Sequence, residues 1–365
     1  MYSIPYLDLS ISDEEERNEL LKAIERVLKH GRLILGPEVL EIEKKLAEYC
    51  GRKYAVGVAS GTDALFLALR ALNIGIGDEI ITNAYSWIAT ANTIYMAGAT
   101  PVFADVLSDL TIDPYAVEEL INEKTKGIIA VNYSGRICDF DRINSIAEKY
   151  GIYVIEDASQ SFGAYRKGQI AGSFGTISCI SLNPMKVFGA CGESGVVLTN
   201  DNEVKQILEC DRYNGMKNKT TFIKPGLNSR IDTIQAAILL HRLKNVESII
   251  SKRREIANFY NNQLKKLEIN VFEDYDGIES SYFSYFIQID YRDELLSFLN
   301  SRQIECKVRD SDYLPIQPVY NTCKENASHI KSIYKNFLLL PLSEILDAVH
   351  VERIVNEIKL FIESK

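Results

Sequence analysis

Short, wholly apolar runs recurring between amphipathic helical stretches constrain this chain more than any other feature. Gly127-Ile128-Ile129-Ala130-Val131 and Tyr153-Val154-Ile155 lack the polar alternation of a strand with one wet face. Each is therefore expected to be a strand buried on both faces. Between them, Asp141 to Tyr150 carries helical periodicity. Strand–helix units of this kind begin near Val56, Glu79, Thr100, Gly127 and Tyr153, after amphipathic helices expected at Asp13 to His30 and Glu38 to Cys50. The alternation predicts an α/β fold with a mixed, mostly parallel sheet flanked by helices. Past a helical stretch from Thr233 to about Leu264 the texture changes. Tyr282 to Ile289 alternates as a half-buried strand, and Asp293 to Arg302 and Val351 to Ile362 read as helices. We expect a large domain over residues 1–245 and a smaller C-terminal α+β domain over 246–365.

Composition narrows the function classes. A chain of 365 residues has room for two domains and a large buried core. Its net charge of −9, with no basic cluster longer than Lys252-Arg253-Arg254, argues against a nucleic-acid surface. No run approaches the ~20 apolar residues of a membrane span, and the start, Met1 to Tyr6, lacks the basic and apolar regions of a signal peptide. Seven cysteines are odd in number and scattered without Cys-x-x-Cys spacing, as expected of reduced thiols in a cytoplasmic protein without a structural zinc. Cys191 has no histidine near it in sequence and is expected to pack in the core. The four histidines are far apart and form no ligand motif.

The residues at strand ends carry the chemistry. The run Tyr153-Val154-Ile155-Glu156-Asp157 ends in a carboxylate, and a second apolar strand, Ile177 to Leu182, leads to Lys186. A lysine that can hold an aldehyde as a Schiff base, with an acid that can pair with a pyridinium nitrogen, is what a pyridoxal phosphate enzyme requires. Lysines after strands are also common as solvated surface residues. Upstream, Val56 to Leu69 reads as strand, tight turn and helix. Its Ser60-Gly61-Thr62 turn would set backbone N–H groups and a hydroxyl at a helix N-terminus, where a phosphate gains from unpaired donors and the helix dipole. An ordinary capped helix would use the same residues. Trp87, the only tryptophan, follows the strand at Glu79 and could stack on a flat ring or serve as a core or interface aromatic. Gly226 to Asp232 precedes a helix from Thr233 to Leu243 and fits an anion site or plain capping.

In these blocks the chain resembles the DegT/StrS-type sugar aminotransferases, fold-type I pyridoxal phosphate enzymes that mostly aminate nucleotide-linked keto-sugars. The likeness spans nearly the whole chain. It runs from Ile34 to Val39 through Ser60 to Leu65, Trp87 to Asn92, Gly98 to Asp105 and Ile155 to Gln160. Ser181 to Lys186, Gly192 to Gly195 and Gly226 to Asp232 complete it. The resemblance implies that Lys186 holds the cofactor and shuttles the proton, and that Asp157 binds the pyridine nitrogen. It further implies that Gln160 bonds the ring hydroxyl and that Trp87 stacks on the ring. Gly61, Thr62 and Ser181 would hold the phosphate, with Asn228 reaching in from a second subunit of a homodimer. Arg230 and Tyr313 would contact substrate, and Arg32, Arg136, Lys307 and Arg309 are further candidates.

The departures from the family pattern lie around the acceptor. Ser194 stands where members usually have the first of two glycines, and Gly135-Arg136-Ile137 where Gly-Gln-Pro is common. Members commonly also have a histidine near Asn132-Tyr133. Val308 to Tyr313 replaces a histidine-tyrosine-proline run. The expected reaction carries an amino group from L-glutamate to a keto-deoxy-sugar linked to a nucleotide. A small phosphorylated ketone is the alternative acceptor. A sugar dehydratase on the same scaffold is a further alternative, although dehydratases of this type have histidine at the position of Lys186.

Overall fold

The computed structural model describes residues 2–218, 220–275 and 277–365. Its main sheet has eight strands in the order Tyr54–Val58, Gly195–Thr199, Ile177–Ser181, Tyr153–Asp157, Thr125–Val131, Glu79–Asn83, Thr100–Ala104 and Glu325–Asn326. Only Gly195–Thr199 runs against the others. The expected α/β class, with a mixed and mostly parallel sheet, is what the chain forms.

Side-chain alternation explains why both faces are apolar. Ile128, Ala130, Val154, Ile180, Val196 and Leu198 point to one face and pack with Leu46, Val117, Phe140 and Ile143. Ile129, Val131, Ile155, Ile177, Cys179 and Val197 point to the other and meet Leu65, Leu69 and Leu208. A period of two places each set on a single side, so a run with no polar member must be covered by helices twice. The helices are delimited by local chemistry. Glu14–His30 starts where Asp13 accepts the N–H groups of Glu15 and Glu16, and it stops at Gly31 in the left-handed region. The helical stretch after Thr233 is two helices, Thr233–Arg242 and Val246–Leu264, with a 3-10 turn at Leu243–Asn245 between them.

A second, antiparallel sheet orders Asn270–Val271, Tyr285–Gln288 and Phe337–Leu340. Its core draws on the helices Val246–Leu264, Arg292–Ser301 and Ala348–Glu363. The strand is shorter than the alternation predicts, because Tyr282 turns into the left-handed region at φ 48° and breaks the extended run. Contacts also cross residue 245. Ile4 joins the second core, and Glu325–Asn326 adds an edge strand to the first sheet. An aromatic cluster including Tyr85, Phe103, Tyr133, Phe286, Tyr313 and Phe337 lies where the two sheets meet.

One buried carboxylate fastens the middle of the main sheet. Glu156, fully buried, accepts from the N–H groups of Gly172 and Phe174 at 2.9 Å each. It also accepts from the Ser178 hydroxyl at 2.7 Å and the Asn132 amide at 2.8 Å. Arg52 braces the same loop by donating to the carbonyls of Gly172 and Phe174. Removing the carboxylate orphans these buried donors. Glu156→Ala should therefore cost about 3 kcal/mol or more of stability. A shift of the urea midpoint corresponding to ~1 kcal/mol or less would show that the loop is held by other means.

Candidate active site

The carboxyl ends of the parallel strands converge on one cavity of about 480 Å³, the place where open α/β sheets bind ligands. The strand Tyr54–Val58 delivers Ser60, Gly61 and Thr62, and Glu79–Asn83 leads to Ser86 and Trp87. Tyr153–Asp157 ends in Asp157 and continues to Ser159 and Gln160, and Ile177–Ser181 supplies Ser181 and leads to Lys186. The reversed strand Gly195–Thr199 begins at this edge, so Glu193 also lines the cavity. Eight of the sequence-derived candidates are thereby brought together: Gly61, Thr62, Trp87, Asp157, Gln160, Ser181, Lys186 and Arg309.

Close backbone contact builds one wall. A Cβ on Gly61 would lie 2.5 Å from the Ser181 Cβ, and one on Gly195 would lie 2.3 Å from the Ser60 carbonyl oxygen. Only glycine lets these three segments touch. The Ser60 hydroxyl accepts the Asp63 N–H at 3.0 Å and is thus the N-cap of helix Gly61–Ala71. The capping reading and the anion-site reading hold together here. Ser60 uses its oxygen on the cap, while the first-turn N–H groups, the Thr62 side chain and Ser181 form a small polar corner suited to a phosphate.

Asp157 is 4% exposed. Its oxygens accept the Ser159 N–H at 3.0 Å and the Thr90 hydroxyl at 3.4 Å. Burial pushes the carboxyl above its ordinary pKa, opposed by the Ser159 bonds and the charge of Lys186. A buried acid held this way fits a protonated ring nitrogen, which would supply the compensating cation. Glu156, the preceding residue, points to the opposite face, as strand geometry requires. Gln160 accepts the Ser134 N–H through Oε1 at 2.9 Å, so its NH2 end is left to donate, as a ring hydroxylate or hydroxyl would need.

Lys186 sits in a locked loop. Its N–H bonds the Asn183 carbonyl at 2.9 Å, and the Asn183 side chain bonds Glu193 at 2.6 Å. The Lys186 Nζ lies 4.5 Å from the centroid of the Phe283 ring. Burial lowers its pKa to about 8, with Asp157 pulling the other way and Arg309 adding to the depression. An amine in that range carries a large neutral fraction near pH 8 and can act as a nucleophile or base.

The remaining candidates lie elsewhere in this chain. Tyr313 is buried away from the cavity, its ring stacked on Tyr334 at 4.9 Å and its hydroxyl on Glu325 at 3.0 Å. It does not line the cavity, whereas its neighbours Asp312, Ser311 and Arg309 do. Asn228 is exposed and accepts from Arg230, which lies over the Tyr213 ring at 4.1 Å; neither lines this cavity. Arg136 is buried, bonded to the Phe272 carbonyl and set against the rings of Phe272 and Tyr282. Arg32 and Lys307 are exposed, and Lys307 pairs with Glu305 at 2.5 Å. Cys191 is exposed, contrary to the expected core position, with its N–H on Gln235.

Phe283 and Asp312 were missed by the sequence reading. Both come from the C-terminal part of the chain, and nothing in their local pattern marks them. Asp312 accepts the Tyr133 hydroxyl at 2.6 Å, and its carbonyl accepts the Ser86 N–H at 2.8 Å.

The lysine's pKa gives a direct test. In the cofactor-free protein, amine-selective labelling of Lys186, followed by peptide mass spectrometry, should be half-maximal near pH 8. The carboxylate of Asp157 raises this pKa, so Asp157→Asn should move the midpoint to lower pH. A midpoint at the ordinary lysine value of ~10.4 would contradict this account.

Comparison with known proteins places this geometry. A family model described as the DegT/DnrJ/EryC1/StrS aminotransferase family matches residues 14–359. The chain is 37% identical over 351 residues to the UDP-2-acetamido-2-deoxy-3-oxo-D-glucuronate aminotransferase of Pseudomonas aeruginosa, covering 96% of this chain and 98% of that one. Among solved structures it superposes on S. venezuelae DesV in complex with a ketimine intermediate at a TM-score of 0.95. That match has 32% identity and covers 100% of this chain and 99% of that one. NtdA of Bacillus subtilis with bound cofactor PMP matches at a TM-score of 0.90 and 29% identity, covering 100% of this chain and 86% of that one. With a cavity whose acid, amine and phosphate corner fit that cofactor, the chain is a pyridoxal-phosphate-dependent aminotransferase of the DegT/DnrJ/EryC1/StrS aminotransferase family.

Proposed function

We propose that this enzyme moves the amino group of L-glutamate to the keto carbon of a nucleotide-linked keto-deoxy-sugar. The observation that carries the reading is the meeting of Asp157, Lys186 and the Ser60-Gly61-Thr62 helix start in one cavity. The sugar acceptor draws on the relative from Pseudomonas aeruginosa, whose name specifies a UDP-linked 3-oxo sugar acid.

Pyridoxal phosphate supplies the electron sink that makes the substrate Cα–H acidic. Asp157 keeps the ring nitrogen protonated. Two opposite charges ~4 Å apart at an effective dielectric of ~20 attract by ~4 kcal/mol, roughly 3 pKa units before desolvation is subtracted. Lys186 would anchor the cofactor, and its Nζ would move the proton at the substrate Cα. Gly61, Thr62 and Ser181 hold the phosphate, Gln160 donates to the ring hydroxyl, and Trp87 covers the ring. Asp157→Ala should cut turnover by at least ~100-fold in added cofactor, on the usual scale for losing a group that acts in the transition state, while circular dichroism stays unchanged. Near-parental turnover would refute the assignment.

Asn228, which is exposed, and half-buried Arg230 do not line their own chain's cavity, and this supports a homodimer in which each subunit completes the other's site. A closed two-fold is the simplest symmetry that supplies both sites. Mixing Lys186→Ala chains with Asn228→Ala/Arg230→Ala chains should restore activity that neither has by itself, and a fully active monomer in light scattering would defeat the composite site. We also propose a large domain over 1–245 and a small one over 246–365, supported by their separate apolar cores. A cytoplasmic location is supported by seven unpaired cysteines. Among the described residues, no helix is long and apolar enough to cross a membrane.

The acceptor is tested by offering the aminated cofactor form of the enzyme UDP- and dTDP-linked keto-sugars beside small keto-phosphates. Return of the aldehyde absorbance, with the amino-sugar found by mass spectrometry, is expected from the nucleotide sugars. Response to the small ketones only would replace the proposed acceptor, and loss of a hydroxyl without gain of nitrogen would instead indicate a dehydratase.

A further inference from the structure

Two cations share one aromatic ring inside the cavity. The Phe283 ring carries the Lys186 Nζ at 4.5 Å and the Arg309 guanidinium at 5.3 Å from its centroid. Lys186 and Arg309 are the basic side chains that line this cavity among the described residues. The guanidinium reaches the Asp312 carboxylate at 3.9 Å, too long for a bidentate pair, and that carboxylate already accepts the Tyr133 hydroxyl at 2.6 Å. Arg309 therefore holds a planar fork of donors near the reacting lysine with its neighbouring acid already engaged.

An amino-acid donor fixes what such a fork can meet. Its α-carboxylate is bonded directly to the carbon that loses the proton to Lys186, so it must lie within a few ångströms of Nζ. The neutral keto carbon of a sugar brings no such charge. A cation serving only the donor must be satisfied in the second half-reaction, or it is left buried and unpaired.

We infer that Arg309 binds the α-carboxylate of the amino-acid donor and rests against Asp312 when the sugar occupies the site. The inference rests on the transaminase reading proposed above. Asp312 is held in place from behind by Tyr133 and by its own carbonyl bond to the Ser86 N–H, so it is a fixed resting partner. Phe283 supports the cation in both positions through its ring face. Arg309 thus lets one cavity serve two unlike substrates without a separate charged pocket for each.

The test uses the cofactor-loaded enzyme and two readouts. Glutarate, a carboxylate ligand that cannot transaminate, is titrated by calorimetry, and the rate at which L-glutamate bleaches the aldehyde absorbance is measured in single turnover. Arg309→Gln should weaken glutarate and slow the L-glutamate reaction by roughly 10- to 100-fold, the range for losing hydrogen bonds to a charged group. Lys359→Gln, at an exposed position of the C-terminal helix outside the cavity, should match the parent in both. Parental glutarate binding and L-glutamate rate in Arg309→Gln would overturn the inference. If that variant fails to fold, Arg309→Lys carries the test. A point charge without the fork should weaken glutarate several-fold, and unchanged binding would equally overturn it. Failure of the parent enzyme to react with L-glutamate or any other amino acid would instead strike the transaminase reading itself.

Discussion

Burying the carboxylate of Asp157 at the end of a central strand is the costly feature around which the site is arranged. An acid with 4% exposure resists ionisation unless something compensates it. The fold offers two hydrogen bonds, from Ser159 and Thr90, and the nearby charge of Lys186. The same low dielectric that raises the acid lowers the lysine to about 8. One desolvated cavity thus readies both groups: an acid in want of a cation and an amine with a large neutral fraction. The two effects cannot be separated, because water that relaxed one would relax the other.

Holding those groups in register requires the backbone to be unusually close. Gly61 against Ser181 and Gly195 against Ser60 bring three chain segments into direct contact at the sheet edge. That contact fixes the helix N-terminus beside the loop that carries Lys186. The loop itself is tied at both ends, by the Leu182 N–H on Ser194 and the Ala190 N–H on Leu182, each at 2.8 Å. Ser194, placed where relatives of this type usually have glycine, is fully buried with its hydroxyl turned onto the Glu193 carbonyl at 2.6 Å, so the substitution is absorbed locally.

The other wall comes from distant sequence. Residues 309–314 are pinned to the sheet by the Ser86 N–H on Asp312, the Leu314 N–H on Ala84 and the Tyr85 hydroxyl on the Arg309 carbonyl. Beneath them the aromatic cluster of Tyr85, Tyr133, Phe286 and Phe337 joins the two sheets through edge-on and tilted ring contacts. The residues proposed for the cofactor and those proposed for the donor therefore come from different walls. The cofactor residues hang from the strand ends, whereas Arg309, Asp312 and Phe283 arrive with the C-terminal part of the chain.

That division also separates what the sequence determined from what the tertiary structure decided. Apolar runs such as 127–131 and 153–155 can be satisfied only by helices on both faces, so the α/β class was legible at once. Gly61, Asp157 and Lys186, at or after strand ends, were legible too, because a parallel sheet delivers all such ends to one edge; Gln160 and Ser181 were singled out only by the family resemblance. Tyr313 and Arg136, by contrast, do not line the cavity. Their neighbourhood depends on contacts between residues more than a hundred positions apart, and no local period reports which side chain of a turn faces inward. Tyr313 turned into the aromatic core while Asp312 and Arg309 turned to the cavity, a choice made by the hydrogen bonds of Asp312 to Tyr133 and Ser86. Phe283 escaped notice for the same reason: the left-handed turn at Tyr282, pressed against Gly135, swings its ring out of the strand pattern and under Lys186. Periodicity along the chain specifies which face of an element is buried, but packing between elements decides what that face meets.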